Sequence, residues 1–82
     1  PMQKEDVEAK QSLAAIIEAM SGGNHSRAES LCRVYLVVKA SSVPHIQLLS
    51  QALIRQEKLA EAREQIEFAL KIAAELGQAG IK

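Results

Sequence analysis

The sequence predicts an all-α fold in which four helices form two stacked antiparallel hairpins. Apolar residues recur at spacings of three and four in four separate segments, which is the pattern of helices that bury one face. Between these segments lie residues that end and begin helices, chiefly Gly22-Gly23 and the stretch from Ser42 to Pro44. The 82 residues suffice for one small domain, and the 48% hydrophobic content argues against disorder.

The first helix is expected over residues 5–20. Its predicted buried face consists of four apolar side chains at positions i, i+3, i+4 and i+7: Leu13, Ile16, Ile17 and Met20. The two glycines that follow can supply a left-handed cap, so a turn is expected to separate the first helix from the second.

The second helix is expected to begin near Asn24 or Ser26 and to end near Lys39. Asn24 competes as the N-cap with a capping box formed by Ser26 and Glu29. The run Val34–Val38 favours a strand locally because most of its residues are β-branched. A helix is the better interpretation, since the helical repeat continues into this run and an isolated strand would have no partner.

The third helix is expected to begin at Ser42 and Pro44, which are favourable as an N-cap and as a first-turn residue. Its predicted buried residues are Ile46, Leu49 and Leu53. The bend expected at residues 56–58 lacks glycine, so one continuous helix from Pro44 to Leu76 is an alternative. The fourth helix, which is expected to end at a Gly77 cap, should bury one stripe of residues: Leu59, Ala62, Ile66, Ala69, Ala73 and Leu76.

The predicted domain covers residues 5–76. Pro1 before Met2 is typical of an expression-tag remnant, so residues 1–4 are expected to be disordered and residues 77–82 to form a C-terminal tail. The chain is therefore also compatible with a piece cut from a longer protein.

Charge and the length of the apolar runs exclude several classes of protein. Ten Lys and Arg residues balance ten Asp and Glu residues, which argues against a nucleic-acid-binding protein or a polybasic membrane anchor. The longest apolar run, Val34–Val38, is far shorter than the roughly 20 residues of a membrane-spanning helix. The single Cys32 cannot form an intrachain disulfide, which favours a reducing, cytoplasmic location.

The sequence has no motif of a catalytic, cofactor or metal site, and we predict a non-catalytic protein without cofactors. Gly22-Gly23 lacks the lysine of a phosphate-binding loop. His25 and His45 fall at successive turns, where they are expected to face water at opposite ends of the hairpins and not to converge on one metal ion. Cys32 lies on a helical stripe and is expected to be a small buried core residue rather than a reactive thiol.

The two predicted hairpins align with each other at a constant offset of 34 residues along the chain, which we call the repeat offset. Three pairs show this offset: Ala28 with Ala62, Cys32 with Ile66, and Tyr35 with Ala69. Alanine in both members of the first pair is typical of positions where two helices come close, because a larger side chain would hold them apart. The repeat offset equals the period of the tetratricopeptide repeat.

On these residues the chain resembles the tetratricopeptide repeat family over about residues 9–76. The second unit is similar to the family pattern at these positions: Ile46, Leu49, Ser50, Leu53, Leu59, Ala62, Ile66 and Ala69. The first unit is similar at these: Ala15, Gly23, Ala28, Tyr35 and Ala40. It departs from the pattern at Ser12, where the family has a large aromatic residue. The resemblance implies two stacked repeat units that bind other proteins.

In that family, the first helix of each unit lines a concave face that holds peptides or helices. The resemblance therefore implies a partner-binding groove made of five residues: Lys10, Gln47, Gln51, Ile54 and Arg55. Leu13 and Ile17 fall on the same face but are expected to belong to the core. The lysine and asparagine clamp of chaperone-binding members is not reproduced, since Leu13, Ile17, Gln47 and Gln51 stand at those positions, so a chaperone tail is not expected as the partner.

Three apolar residues of the fourth helix lie off its predicted buried stripe, and we expect them to form a self-association patch: Phe68, Leu70 and Ile72. Another copy of the chain in a homodimer, a neighbouring repeat or a partner protein would cover them. The predicted function is a non-catalytic protein–protein interaction scaffold that self-associates, binds a peptide or helix of a partner protein, or does both. The alternative is a four-helix docking or regulatory module excised from a larger enzyme or transcription regulator.

Overall fold

The computed structural model describes residues 3–80, with side chains described over residues 3–77, and it shows an all-α fold as predicted. It contains four helices: α1 (Lys4–Ser21), α2 (His25–Val38), α3 (Val43–Arg55) and α4 (Leu59–Gly80). Val34–Val38 is helical, so the surrounding fold overrides its local preference for a strand. Over the described residues, no helix combines the length and the apolar character that crossing a membrane requires.

The turns within the two hairpins share the same backbone structure at equivalent positions. Gly23 and Glu57, which are separated by the repeat offset, both have positive φ angles, 79° and 62° respectively. The amide that follows each of them donates a hydrogen bond to the carbonyl five residues earlier, at 2.8 Å in the first hairpin and 2.9 Å in the second. The alternative of one continuous helix over residues 44–76 is therefore wrong, because the chain bends at Glu57.

α3 lies at the centre of the fold, in contact with the other three helices. Over the described residues, the backbone of α4 approaches α3 alone, and an ion pair between Arg33 and Glu61 at 3.5 Å links α4 to α2. The core joins both hairpins and is built from small and aliphatic side chains: Ile16, Ala19, Ala28, Cys32, Leu49, Ala52, Leu53 and Ala62. The burial of Ala28 and Ala62 agrees with a role for alanine where two helices come close.

The predicted buried faces of α1 and α4 are partly wrong. On α1, Ile17 is 52% exposed, and Ala19 is buried. On α4, four of the six residues of the predicted stripe are exposed: Leu59, Ile66, Ala73 and Leu76. Over residues 59–77, the buried and half-buried residues of α4 are these: Ala62, Gln65, Ala69 and Ile72. Because α4 packs closely against α3 alone among the described helices, only a narrow strip of its surface is covered, and the rest of the predicted stripe stays open.

The helices extend beyond the predicted domain limits. α1 begins at Lys4, and α4 continues through Gly77 to Gly80, so residues 77–80 are helical and do not form a separate tail. Gly77 does not have a positive φ angle and does not cap the helix. The other residues of the predicted termini, 1–2 and 81–82, lie outside the described residues.

Candidate functional site

His45 forms a buried polar cluster with Ser12, Tyr35 and Ser42, which we call the His45 cluster. Its Nε2 lies 3.0 Å from Ser12 Oγ, and its Nδ1 lies 2.6 Å from Ser42 Oγ. The Tyr35 ring stacks on the imidazole, with ring centroids 3.7 Å apart. One side chain that is 1% exposed therefore connects α1, α2 and α3.

The expectation that His45 faces water is wrong. The residue occupies the third position of α3, on the side that packs against α1 and α2, and burial lowers the pKa of the imidazole below its ordinary value of 6.5. A neutral imidazole has one donor and one acceptor nitrogen, and a serine hydroxyl serves in either role, so both nitrogens are satisfied. Ser12 supplies one of these hydroxyls.

A serine hydroxyl 3.0 Å from a histidine nitrogen is also the first requirement of a nucleophilic active site. Such a site needs a substrate to reach the serine oxygen and the histidine nitrogen together. In this structure the imidazole is enclosed by Tyr35 and by the helices around it, which keeps a substrate away from Nε2. We therefore interpret the His45 cluster as a structural connection between helices.

Glu29 joins α2 to the turn between α3 and α4. Its Oε1 accepts hydrogen bonds from Gln56 at 2.9 Å and Lys58 at 3.0 Å, and its Oε2 accepts one from Arg33 at 2.9 Å. The hydrogen bonds from Arg33 and Lys58 lower the pKa of the Glu29 carboxyl from 4.5 to about 2.

The N-terminus of α2 is capped by the Asn24 side chain, which accepts a hydrogen bond from the Arg27 amide. Of the two N-caps that the sequence predicts, the structure therefore has the one at Asn24.

Replacing Glu29 by glutamine is expected to lower the free energy of unfolding at pH 7 by about 1–2 kcal/mol, because the amide loses both ion pairs while keeping some hydrogen bonds. A carboxylate with a lowered pKa stabilises the fold above its ordinary pKa of 4.5, and that contribution disappears as the pH falls towards 2. Urea denaturation at several pH values measures the difference. Glu64→Gln on the exposed side of α4 is the control, and an equal loss at pH 7 and near pH 2 would contradict the prediction.

The structure does not bring His25, Cys32 and His45 together as metal ligands. Within the described part of the chain, no three His, Cys, Asp or Glu side chains lie close enough to hold a metal ion. Cys32 is a fully buried core residue, as predicted, and burial raises the pKa of its thiol to about 11. A protonated and enclosed thiol is a poor nucleophile, which agrees with a packing role.

An open groove of about 450 Å³ runs between α3 and α4, and we call it the α3–α4 groove. Apolar and small polar side chains line it: Val43, Ile46, Gln47, Ser50, Gln51, Ile66, Ala69, Leu70 and Ala73. Two of the aliphatic side chains are open to solvent, since Ile66 is 42% exposed and Leu70 is 64% exposed. Exposed aliphatic side chains next to glutamines, in a concave surface, are typical of a site that binds another molecule.

The five residues of the predicted partner-binding groove do not form one site. Gln47 and Gln51 line the α3–α4 groove. Gln51 and Arg55 border a second, more polar cavity of about 440 Å³ beside the end of α1. Lys10 and Ile54 are exposed but line neither cavity. The face predicted from the family resemblance is therefore divided between two cavities.

The three residues of the predicted self-association patch are also separated. Ile72 is buried, which corrects the expectation that it is left uncovered. Leu70 lines the α3–α4 groove, whereas Phe68 lines a different cleft of about 390 Å³ that faces α2. Because residues two apart on a helix point about 200° away from each other, one partner surface cannot cover both side chains in the same contact.

Comparisons of the chain with protein-family models, with curated proteins and with solved structures find no match in any of the three.

Proposed function

We propose that the protein is a non-catalytic interaction module that binds a helix of a partner protein in the α3–α4 groove. The observation that carries this proposal is that the groove corresponds, one repeat offset later, to the surface on which the first hairpin holds α3. A surface of this kind already binds one helix within the fold, and its second version is open.

Four positions of the surface that holds α3 have equivalents on the second hairpin that line the groove, although the residue type differs at each of them. The four positions and their equivalents in the groove are Ser12 with Ile46, Ile16 with Ser50, Cys32 with Ile66, and Tyr35 with Ala69. Cys32 is fully buried under α3, whereas Ile66 is partly exposed because no helix of the described chain covers it. The second hairpin therefore offers a position for one more helix.

The apolar floor of the groove does not by itself explain tight binding. At about 25 cal/mol per Å², covering the exposed parts of Ile66 and Leu70 contributes about 2 and about 3 kcal/mol respectively. Micromolar affinity requires about 8 kcal/mol. The bound helix therefore has to contact the rim of the groove as well, where Gln47 and Gln51 offer amide groups.

The separation of the predicted self-association patch removes the support that this patch gave to a symmetric dimer. Leu70 and Phe68 face different clefts, so a symmetric dimer cannot bury both against their own copies in one contact. The proposed function therefore does not rest on self-association, and it names another protein as the partner.

Site-specific photocrosslinking tests the proposal. A benzophenone amino acid placed at Leu70 is expected to form an adduct with one helical segment of one partner protein, identified by mass spectrometry. The same amino acid at Val34, which is exposed on α2 and lines none of the three cavities described above, is the matched control. Adducts with the same proteins at both positions, or adducts only between copies of this chain, would contradict the proposal.

A further inference from the structure

We propose that the helix bound in the α3–α4 groove repeats the register of α3, with an aliphatic residue in the place of His45 and a carboxylate in the place of Lys58. This inference rests on the proposed function and adds the chemistry of the partner helix. It follows from two differences between the surface that holds α3 and its equivalent in the groove.

The first difference is the loss of the polar surroundings of His45. On the first hairpin, Ser12 Oγ lies 3.0 Å from the imidazole Nε2, and the Tyr35 ring stacks on the imidazole at a centroid distance of 3.7 Å. The equivalent residues one repeat offset later are Ile46 and Ala69, which line the groove and have no side-chain hydrogen-bonding group. A histidine in a bound helix would bury its Nε2 there without a partner, whereas an aliphatic side chain would fit the apolar floor.

The second difference is a reversal of charge at the end of the surface. On the first hairpin, Glu29 pairs with Arg33 within α2 and with Lys58 beyond the end of α3. One repeat offset later, Arg63 stands at the position of Glu29 and Glu67 at the position of Arg33, so the positive and negative residues are exchanged. They form an ion pair at 3.4 Å. A residue in the place of Lys58 therefore faces Arg63, and a carboxylate there forms the ion pair that a lysine would disrupt.

A second copy of this chain does not offer such a helix. Within the described chain, α1 is the helix in an equivalent position to α3. The α1 residues that correspond to the buried residues of α3 are polar or small: Gln11 for His45, Ala15 for Leu49, and Glu18 for Ala52. Binding α1 in the groove would bury the Glu18 carboxylate at a position where α3 has a fully buried alanine. The partner is thus a different chain with an amphipathic helix.

A stapled peptide tests this inference. The probe is the segment 43–58 of this chain with His45→Leu and Lys58→Glu, blocked at both termini and stapled between positions 47 and 51, which are one helical turn apart and exposed on α3. The unmodified segment and the segment with His45→Leu alone are the comparison peptides. Binding of each dye-labelled peptide to the whole chain is measured by fluorescence anisotropy at low salt.

The doubly changed peptide is expected to bind about tenfold or more tightly than the unmodified segment. The Lys58→Glu change contributes about two- to fivefold of this, because Arg63 is solvent-exposed. When the whole chain carries Arg63→Glu, the peptide with His45→Leu alone, which keeps Lys58, is expected to bind more tightly than the doubly changed peptide. Ile66→Asp removes binding of all three peptides, and Leu70→Glu serves as the second groove variant if circular dichroism shows that Ile66→Asp loses helix.

Two outcomes overturn the inference. Equal affinity of the three peptides shows that the groove binds helices without the proposed selectivity, which leaves the proposed function intact. Absence of binding by all three peptides also overturns the inference, and the crosslinking result at Leu70 then decides the proposed function independently.

Discussion

Replacing His45 by alanine is expected to lower the free energy of unfolding by about 2–4 kcal/mol. The substitution leaves a space between three helices and removes the ring that stacks on Tyr35. It also leaves the hydroxyls of Ser12 and Ser42 without the nitrogen atoms that they contact at 3.0 Å and 2.6 Å. Chemical denaturation followed by circular dichroism measures the loss.

His25→Ala is the matched control for this prediction. His25 is half-buried at the start of α2, so its replacement removes fewer contacts, and we expect a loss below about 1 kcal/mol. Similar losses in the two variants would show that the His45 cluster does not stabilise the contact between the hairpins.

The same histidine should make stability depend on pH in a defined direction. The pKa of His45 is lowered in the folded chain, whereas the unfolded chain titrates near the ordinary value of 6.5. Well above pH 6.5 neither state is protonated, and below it the unfolded chain binds a proton first, so stability falls until the pH reaches the folded pKa. His45→Asn removes the titrating group, and an unchanged decline below pH 6.5 in this variant would contradict the assignment.

The starts of α2 and α3 could be predicted because residues close in the sequence decide them, whereas the predicted end of α4 at Gly77 is wrong. Asn24 precedes α2 and caps it, and Pro44 lies in the first turn of α3, where its missing amide hydrogen costs nothing. The alignment at the repeat offset is reflected in the backbone, where Gly23 and Glu57 take the same left-handed conformation. A turn that recurs at a constant offset can be recognised in the sequence without knowing how the helices pack.

The sites could not be predicted in the same way, because they depend on residues that are distant in the sequence. His45 is buried because Ser12, 33 residues earlier, offers its hydroxyl from another helix. Glu29 binds Lys58, 29 residues later, so a local pattern identified it only as part of a capping box. The buried side of α4 depends on which helices are adjacent to it, and the hydrophobic stripe in the sequence does not indicate how many helices pack against α4.

Replacing Leu53 by alanine is expected to lower the free energy of unfolding by about 2–5 kcal/mol, because the side chain is fully buried in the core that joins the two hairpins. A domain of this length has a total stability of about 4–12 kcal/mol, so the variant loses a large part of it. Ile54→Ala is the control on the same helix. Ile54 is 46% exposed, and we expect a loss of about 1 kcal/mol or less.

Hydrogen exchange shows how that loss is distributed over the fold. α3 contacts α1, α2 and α4, and Leu53 lies in one core with residues of both hairpins. Amides of α2 and α4 are therefore expected to lose protection by similar factors in Leu53→Ala, because opening one hairpin removes the surface that holds the other. A loss confined to α4 would mean that the first hairpin is stable without α3. The surface that holds α3 would then exist independently of its occupant, and its equivalent on the second hairpin would need no bound helix to keep its shape.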